Sequence, residues 1–128
     1  MSHAIAWFDI PVADLPRATK FYEKILGKKL VPNNSAAEGP RKTVFFPADW
    51  SKGEIGGCLV QGKGLEPSGK GTVAYLDCGE DLLPVEKRVE KAGGKVLQPK
   101  TAIPMEGAGF MGMIVDSEGN TVGLWSPK

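Results

Sequence analysis

The chain has 128 residues, a common size for one domain, and its 16 basic and 15 acidic residues leave a formal net charge of +1. Because the basic residues form no cluster, the sequence predicts neither nucleic-acid binding nor membrane binding. No apolar run is long enough to cross a bilayer and no secretion signal is recognised, so we expect a cytoplasmic protein whose two cysteines, Cys58 and Cys78, are free thiols.

The first half of the chain begins with a predicted strand over 4–10. An amphipathic helix is predicted next, between Asp14, which is placed to cap its first turn, and Gly27, which is placed to end it in the left-handed conformation. Runs rich in β-branched and aromatic residues then predict three strands, over 28–32, 43–47 and 56–60. The glycine-rich stretch over 62–71 is typical of a linker.

The second half repeats this order, with a strand over 72–77 and a helix between Asp81 and Gly94. Three more strands are predicted over 95–99, 110–115 and 121–125, the last two joined by a hairpin turn that contains Gly119. A shift of 67 residues aligns the two helical regions with eight identities over positions 14–30, where chance gives about one. The sequence therefore predicts an α+β fold, in one domain over 1–128, made of two βαβββ repeats at about 1–62 and 70–128.

Two stretches of the sequence resemble the vicinal oxygen chelate superfamily, which includes glyoxalase I, extradiol dioxygenases and bleomycin-resistance proteins. The first runs from Ile10 through Asp14-Leu15, Ala18 and Phe21-Tyr22 to Leu26-Gly27, and the second is the closing Asp116-Ser117-Glu118-Gly119-Asn120 with the strand that follows it. The resemblance implies a curved, cup-shaped mixed sheet with the helices on its convex side. It also implies that the cup binds a small molecule and that the protein is a homodimer.

Metal-using members of the superfamily draw their ligands from four strands of the cup. Carried over to this sequence, the four positions fall on Trp7, Gly57, Thr72 and Gly123. An indole has no usable lone pair, glycine has no side chain, and a single neutral hydroxyl binds a divalent ion weakly. We therefore expect no metal and no other cofactor, and a cup in which Trp7 and Trp125 form flat walls beside the space that the glycines leave.

Asp9 follows Trp7 by two residues, so strand alternation places both side chains on one face. A carboxylate that faces a cavity suggests a polar anchor for a ligand or a general base, and Asp9 is our candidate catalytic residue. The alternative is that it forms an ion pair with a basic side chain or accepts backbone N–H groups at the cavity mouth. Phe46, Met105 and Phe110 are further candidates to line the pocket, because the loop before Phe110 combines apolar residues with glycine hinges.

Three functions are compatible with these features. The first is metal-independent binding of a small planar or apolar molecule, through the candidate ligand-binding residues Trp7, Asp9, Phe46, Gly57, Thr72, Met105, Phe110, Gly123 and Trp125. The second is a metal-dependent lyase, isomerase or dioxygenase similar to glyoxalase I, whose ligands would be His3, Asp9 and Glu106. The third is an interaction module whose cavity has collapsed onto Trp7 and Trp125. Metal analysis and ligand screening separate the three.

Overall fold

In a computed structural model, residues 3–34 and 39–128 are described, and they form two βαβββ units in the predicted order. The first unit consists of β1 (Asp9–Pro11), α1 (Leu15–Leu26), β2 (Val31–Pro32), β3 (Lys42–Phe45) and β4 (Cys58–Gln61). The second consists of β5 (Tyr75–Asp77), α2 (Leu83–Ala92), β6 (Lys95–Ala102), β7 (Phe110–Val115) and β8 (Thr121–Ser126). The α+β fold and its internal repeat are confirmed, whereas the division of the chain into domains stays a prediction.

Each unit folds into a four-stranded sheet with the same topology. The strand orders are β1-β4-β3-β2 and β5-β8-β7-β6, and in both sheets the first pair is parallel and the other pairs are antiparallel. Strand β1 pairs only over Asp9–Pro11, which is shorter than the predicted strand over 4–10. In each half, the helix and two antiparallel strands lie in the chain between the two parallel strands. This long connection is the crossover that parallel pairing requires.

Helix α1 has the predicted ends, because the Asp14 carboxylate accepts the Arg17 N–H at 3.0 Å and Gly27 has φ 66°. Helix α2 begins later than predicted: its N-cap residue is Leu82, although the Asp81 carboxylate still accepts the Leu83 N–H at 2.9 Å. Its left-handed C-cap is Gly93, with φ 107°, so the prediction of Gly94 is wrong by one residue. The C-caps of the two helices are therefore not related by the offset of 67 residues that aligns the two halves.

Both helices bury their apolar sides against the same side of the sheets and against each other. Helix α1 packs on β3 and β4, and α2 packs on β6 and β7. The buried helix residues are Ala18, Phe21, Tyr22, Ile25, Val85 and Val89. The strand side chains that meet them include Ile10, Leu59, Leu76, Ile114 and Leu124, and all of these belong to one hydrophobic core. We call the opposite side of each sheet, which no helix covers, its open face.

The predicted hairpin turn between β7 and β8 joins the two halves. Glu118 accepts hydrogen bonds from the backbone N–H groups of Ala13 and Asp14 and forms an ion pair with Arg17 at 2.7 Å. Nearby, the buried Asp116 accepts the Tyr22 hydroxyl at 2.6 Å, and Asn120 donates to the Pro11 carbonyl. We call Tyr22, Asp116, Glu118 and Asn120, together with Arg17, the inter-half clasp. It fixes the second half against the start of α1.

Candidate functional site

The open face of the first half carries the polar candidate Asp9. Ile10 is buried on the helix side, so the neighbouring Asp9 projects to the open face, where its register partner on β4 is Cys58 and the next residue across, on β3, is Phe45. Trp7 lies two residues before Asp9 and donates its indole N–H to Asp9 Oδ1 at 3.0 Å. The structure thus brings together Trp7 and Asp9, as the alternation predicts.

Three side chains donate to the Asp9 carboxylate. Trp7 Nε1 and Cys58 Sγ lie 3.0 and 3.1 Å from Oδ1, and Arg41 Nη2 lies 3.1 Å from Oδ2. Partial burial raises the pKa of Asp9, but the hydrogen bonds from Cys58, Trp7 and Arg41 and the charge of Arg41 outweigh it and hold the pKa below its usual value. A carboxylate held ionised in this way is a weak proton acceptor, which favours the role of polar anchor over that of general base.

Cys58 serves Asp9 as a hydrogen-bond donor. Burial raises the pKa of the Cys58 thiol to about 12, and the hydrogen bond to Asp9 and the charge of Asp9 add to this effect. The thiol is therefore protonated at neutral pH. Since the thiolate is the nucleophile, Cys58 is in the wrong state for covalent chemistry.

Trp7 belongs to a cluster of three aromatic rings on the open face. Its ring centroid lies 5.9 Å from that of Phe45 and 5.7 Å from that of Trp50, and the Phe45 and Trp50 centroids are 5.7 Å apart, all with edge-to-face geometry. We call Trp7, Phe45 and Trp50 the aromatic cluster. Trp7 is 38% exposed and Trp50 57% exposed, so the cluster presents apolar ring surface to solvent.

A depression of about 330 Å³ adjoins this cluster. It is lined by Val31, Phe45, Phe46, Ala48, Asp49, Trp50 and Ser51. Its volume is at the lower end of the range for small-molecule sites, which suits a ligand of one or two rings. The aromatic rings in this lining, with Asp49 as its one carboxylate, make it a mainly apolar site.

A short 3-10 turn, Trp50–Lys52, positions Trp50. The Asp49 side chain accepts the Ser51 N–H at 3.1 Å, and Gly53 ends the turn with φ 77°. The sequence analysis missed both Trp50 and Arg41. Signals for both exist: Asp49 and Gly53 are the cap residues of a short turn, and Arg41 alternates with Thr43 and Phe45 toward the open face.

In the second half, the predicted ligand-binding residues do not form a cluster like that of Trp7 and Asp9. A side chain at Gly123 would meet the ring of Tyr75 at 2.3 Å, so that ring fills the space expected above the glycine. Trp125 donates its indole N–H to the Ala108 carbonyl at 2.8 Å and thereby holds the loop before β7. Thr72 is exposed and precedes β5, and Met105 is exposed at the tip of that loop. These positions stay predictions as ligand contacts.

Three predicted pocket residues lie toward the helix side. A side chain at Gly57 would meet the ring of Phe8 at 2.3 Å, and Phe8 packs on the buried Phe46, which contacts Tyr22 of α1. Phe110 packs against the core, with Lys100 Nζ 4.8 Å from its ring centroid. The expected symmetry between Gly57 and Gly123 is wrong. In the two parallel strand pairs, the residue equivalent to Gly123 is Cys58, one position after Gly57. Neighbouring residues of a strand face opposite sides of the sheet, so Gly57 faces the helices. Phe46 nevertheless lines the depression, as the sequence predicts for a pocket residue.

The residues at the four metal positions of the superfamily do not fit a divalent ion. Trp7 and Thr72 offer no strong donor, and Gly123 and the expected Gly57 offer no side chain at all. Cys58, which register places at the position expected for Gly57, keeps its proton and donates it to Asp9. Within residues 3–34 and 39–128, no group of three histidine, cysteine or acidic side chains could share an ion, and this range includes His3, Asp9 and Glu106. The second hypothesis therefore lacks its assembled ligand set.

The family of the chain follows from comparison with known proteins. A family model described as the Glyoxalase/Bleomycin resistance protein/Dioxygenase superfamily matches residues 4–124. The chain belongs to this superfamily. A search of the curated proteins finds no match. None of the helices in the described ranges is long and apolar enough to cross a membrane.

Solved structures share the fold. Glyoxalase I from Zea mays is 18% identical with a TM-score of 0.71, over 95% of this chain and 44% of that chain. A hypothetical protein from S. aureus is 21% identical with a TM-score of 0.66, over 98% of both chains. The genomically encoded fosfomycin resistance protein from Listeria monocytogenes is 16% identical with a TM-score of 0.63, over 98% of this chain and 92% of that chain. Identities this low establish the fold alone.

Proposed function

We propose that this member of the superfamily binds a small planar molecule on the open face of its first half, without a metal ion. The observation that carries the proposal is the aromatic cluster of Trp7, Phe45 and Trp50, which stays exposed beside the polar group of Asp9 and Arg41. Exposed aromatic rings next to a few fixed polar groups are the usual composition of a small-molecule site.

Two further features support this function. The depression of about 330 Å³ gives a ligand a place beside Phe45 and Trp50. At the metal positions, the side chains supply no donor set, and the ring of Tyr75 occupies the space above Gly123. Recognition in such a site rests on shape and apolar contact rather than on coordination.

Metal independence is tested on the purified protein by elemental analysis and by thermal unfolding with added nickel, zinc, manganese or iron. We expect less than one equivalent of any divalent metal and no rise in the melting temperature. One tightly bound ion per chain would contradict the proposal. Turnover of the hemithioacetal of methylglyoxal and glutathione with any of these metals would instead support the lyase hypothesis.

Ligand binding is tested by quenching of tryptophan fluorescence in a Trp125→Phe variant, which leaves Trp7 and Trp50 as the reporters. A screen of one- and two-ring compounds should quench this emission, and Trp7→Ala should weaken the binding of the compounds found. Tyr75→Ala is the matched control, because it removes an exposed aromatic ring from the open face of the other half. Equal losses in the two variants would argue against the aromatic cluster as the site.

The hypothesis of a collapsed cavity has no support among the described ring contacts, in which Trp7 meets Phe45 and Trp50, while Trp125 binds the Ala108 carbonyl. We also keep the predictions of a homodimer and of a cytoplasmic location. Sedimentation of the purified chain tests the first, and fractionation of cells tests the second.

A further inference from the structure

The polar groups of the open face near the aromatic cluster are unequally available to a ligand. Most of the acceptor capacity of Asp9 is used, because Oδ1 takes two hydrogen bonds, from Trp7 and Cys58, and Oδ2 takes one from Arg41. Trp7 and Cys58 have each used their only polar hydrogen in these contacts. Trp7 and Cys58 therefore have no donor left for a ligand, and the Asp9 carboxylate keeps one acceptor position, on Oδ2.

Arg41 differs, because its guanidinium has five N–H groups and the hydrogen bond to Asp9 uses one of them. Its side chain is 53% exposed. Arg41 directly precedes β3, and Asp9 lies on β1, so the side chain crosses β4 on the open face to reach the carboxylate. The remaining N–H groups are therefore presented to solvent on the same face as the aromatic rings.

The Asp9 carboxylate fixes the spacing between the charge and the rings. Trp7 donates to one of its oxygens and Arg41 to the other, so the indole and the guanidinium are held on either side of a single carboxylate. A ligand whose ring lies on the aromatic cluster would thus have Arg41 within reach of a substituent. A cationic ligand would find one acceptor position left on Asp9, whereas an anionic substituent would find four N–H donors left on Arg41.

We infer that the ligand of the open face is a planar aromatic compound with an anionic substituent, such as a carboxylate, which Arg41 binds. The inference rests on the proposed function and adds the charge of the ligand to it. Guanidinium groups match the two oxygens of a carboxylate, so a ligand can take two parallel N–H donors while Asp9 keeps Arg41 in place. Asp9 then acts as a positioning residue.

The test compares three ligands with one ring system in the Trp125→Phe background: 2-naphthoate, 2-naphthol and 2-naphthylmethylammonium. We expect 2-naphthoate to bind about tenfold more tightly than the other two at low salt, since a charge-assisted hydrogen bond contributes on this scale. Added salt should weaken the binding of 2-naphthoate and leave that of 2-naphthol nearly unchanged.

Arg41→Gln should remove the preference for 2-naphthoate and keep the affinity for 2-naphthol. Lys42→Gln is the matched control, because it deletes the same charge from the adjacent exposed residue and should preserve the preference. Unchanged binding of 2-naphthol also shows that Arg41→Gln folds normally.

Two outcomes overturn different claims. Equal affinity for the three ligands, with binding lost in Trp7→Ala, would refute the anionic ligand and leave the proposed function standing. If none of the three binds, neither the ligand class nor the site on the aromatic cluster survives.

Discussion

Two arginine–carboxylate pairs in this fold have opposite surroundings. Arg17 and Glu118 approach to 2.7 Å in the inter-half clasp, where the Glu118 side chain is 0% exposed and also accepts two backbone N–H groups. Arg41 and Asp9 approach to 3.1 Å on the open face, where the Asp9 side chain is 44% exposed and receives only side-chain donors. The same pair of functional groups thus holds the two halves together in the inter-half clasp and leaves N–H donors for a ligand on the open face.

The difference lies in what would be left without a partner. Removal of Glu118 takes the shared acceptor from the backbone N–H groups of Ala13 and Asp14, which the fold holds in place at the start of α1. Removal of Asp9 leaves side chains that can turn toward solvent. The comparison therefore predicts large effects on stability at the clasp and small effects on stability at the open face.

The largest effect is expected for Glu118→Ala. The free energy of unfolding should fall by about 3 kcal/mol, because two backbone N–H groups and one guanidinium lose their shared acceptor. Glu118→Gln keeps one acceptor oxygen and should lose less. Denaturant unfolding measures both variants, and a loss below about 1 kcal/mol for Glu118→Ala would show that the clasp contributes little.

The second expected effect is that the stability contributed by Glu118 depends on pH. Partial burial raises the pKa of Glu118, but the hydrogen bonds from Arg17, the Asp14 N–H and Ser117 outweigh it, so the folded pKa lies below the ordinary value of 4.5. The ionised carboxylate therefore stabilises the fold above pH 4.5, and this contribution is lost as the pH falls through the folded pKa. The stability gap between the parent chain and Glu118→Gln should narrow below about pH 4. A constant gap from pH 7 to pH 3 would contradict it.

A smaller effect is expected for Arg41→Gln, which breaks the ion pair of the open face. Because both side chains are about half exposed, the free energy of unfolding should change by less than about 1 kcal/mol. The measurement is the same denaturant titration, with Lys42→Gln as the control for the loss of one charge. A loss as large as that of Glu118→Ala would remove the distinction between the two pairs.

The smallest effect on stability is expected for Asp9→Asn, and its main result is a change in the reactivity of Cys58. With a pKa of about 12, its thiol should react slowly with iodoacetamide at pH 8, and Asp9→Asn should speed the reaction because the charge and the hydrogen bond that raise the pKa are lost. Cys78, whose pKa burial raises to about 11, reports any general loosening of the fold. Mass spectrometry of the labelled peptides separates the two thiols, and unchanged labelling of Cys58 would argue against its coupling to Asp9.

The repeat and its helices could be predicted because they depend on local pattern. Asp14 and Gly27 mark the ends of α1 through their own backbone contacts, and the apolar spacing of Ala18 to Ile25 marks its buried side. The error at Gly94 has an equally local cause. A run of two glycines at 93 and 94 offers two places for a left-handed C-cap, and the sequence alone does not choose between them.

The site was predicted only in part because it depends on register and on distant contacts. Trp7 and Asp9 follow from alternation within one strand, whereas Arg41 reaches Asp9 across an intervening strand, 32 residues away in sequence. The face of Gly57 was misjudged because the loop before β4 differs in length from the hairpin turn before β8. Symmetry between turns of different length therefore put the alignment off by one residue, and a shift of one residue moves a side chain to the opposite side of the sheet.

The ring of Tyr75 over Gly123 has a consequence for protein engineering. A glutamate introduced at 123 alone would collide with that ring, so the substitution is expected to disturb β5 before it could offer a ligand. Reconstruction of an ion site in this scaffold therefore calls for compensating substitutions made together, with Tyr75 shortened in the same design.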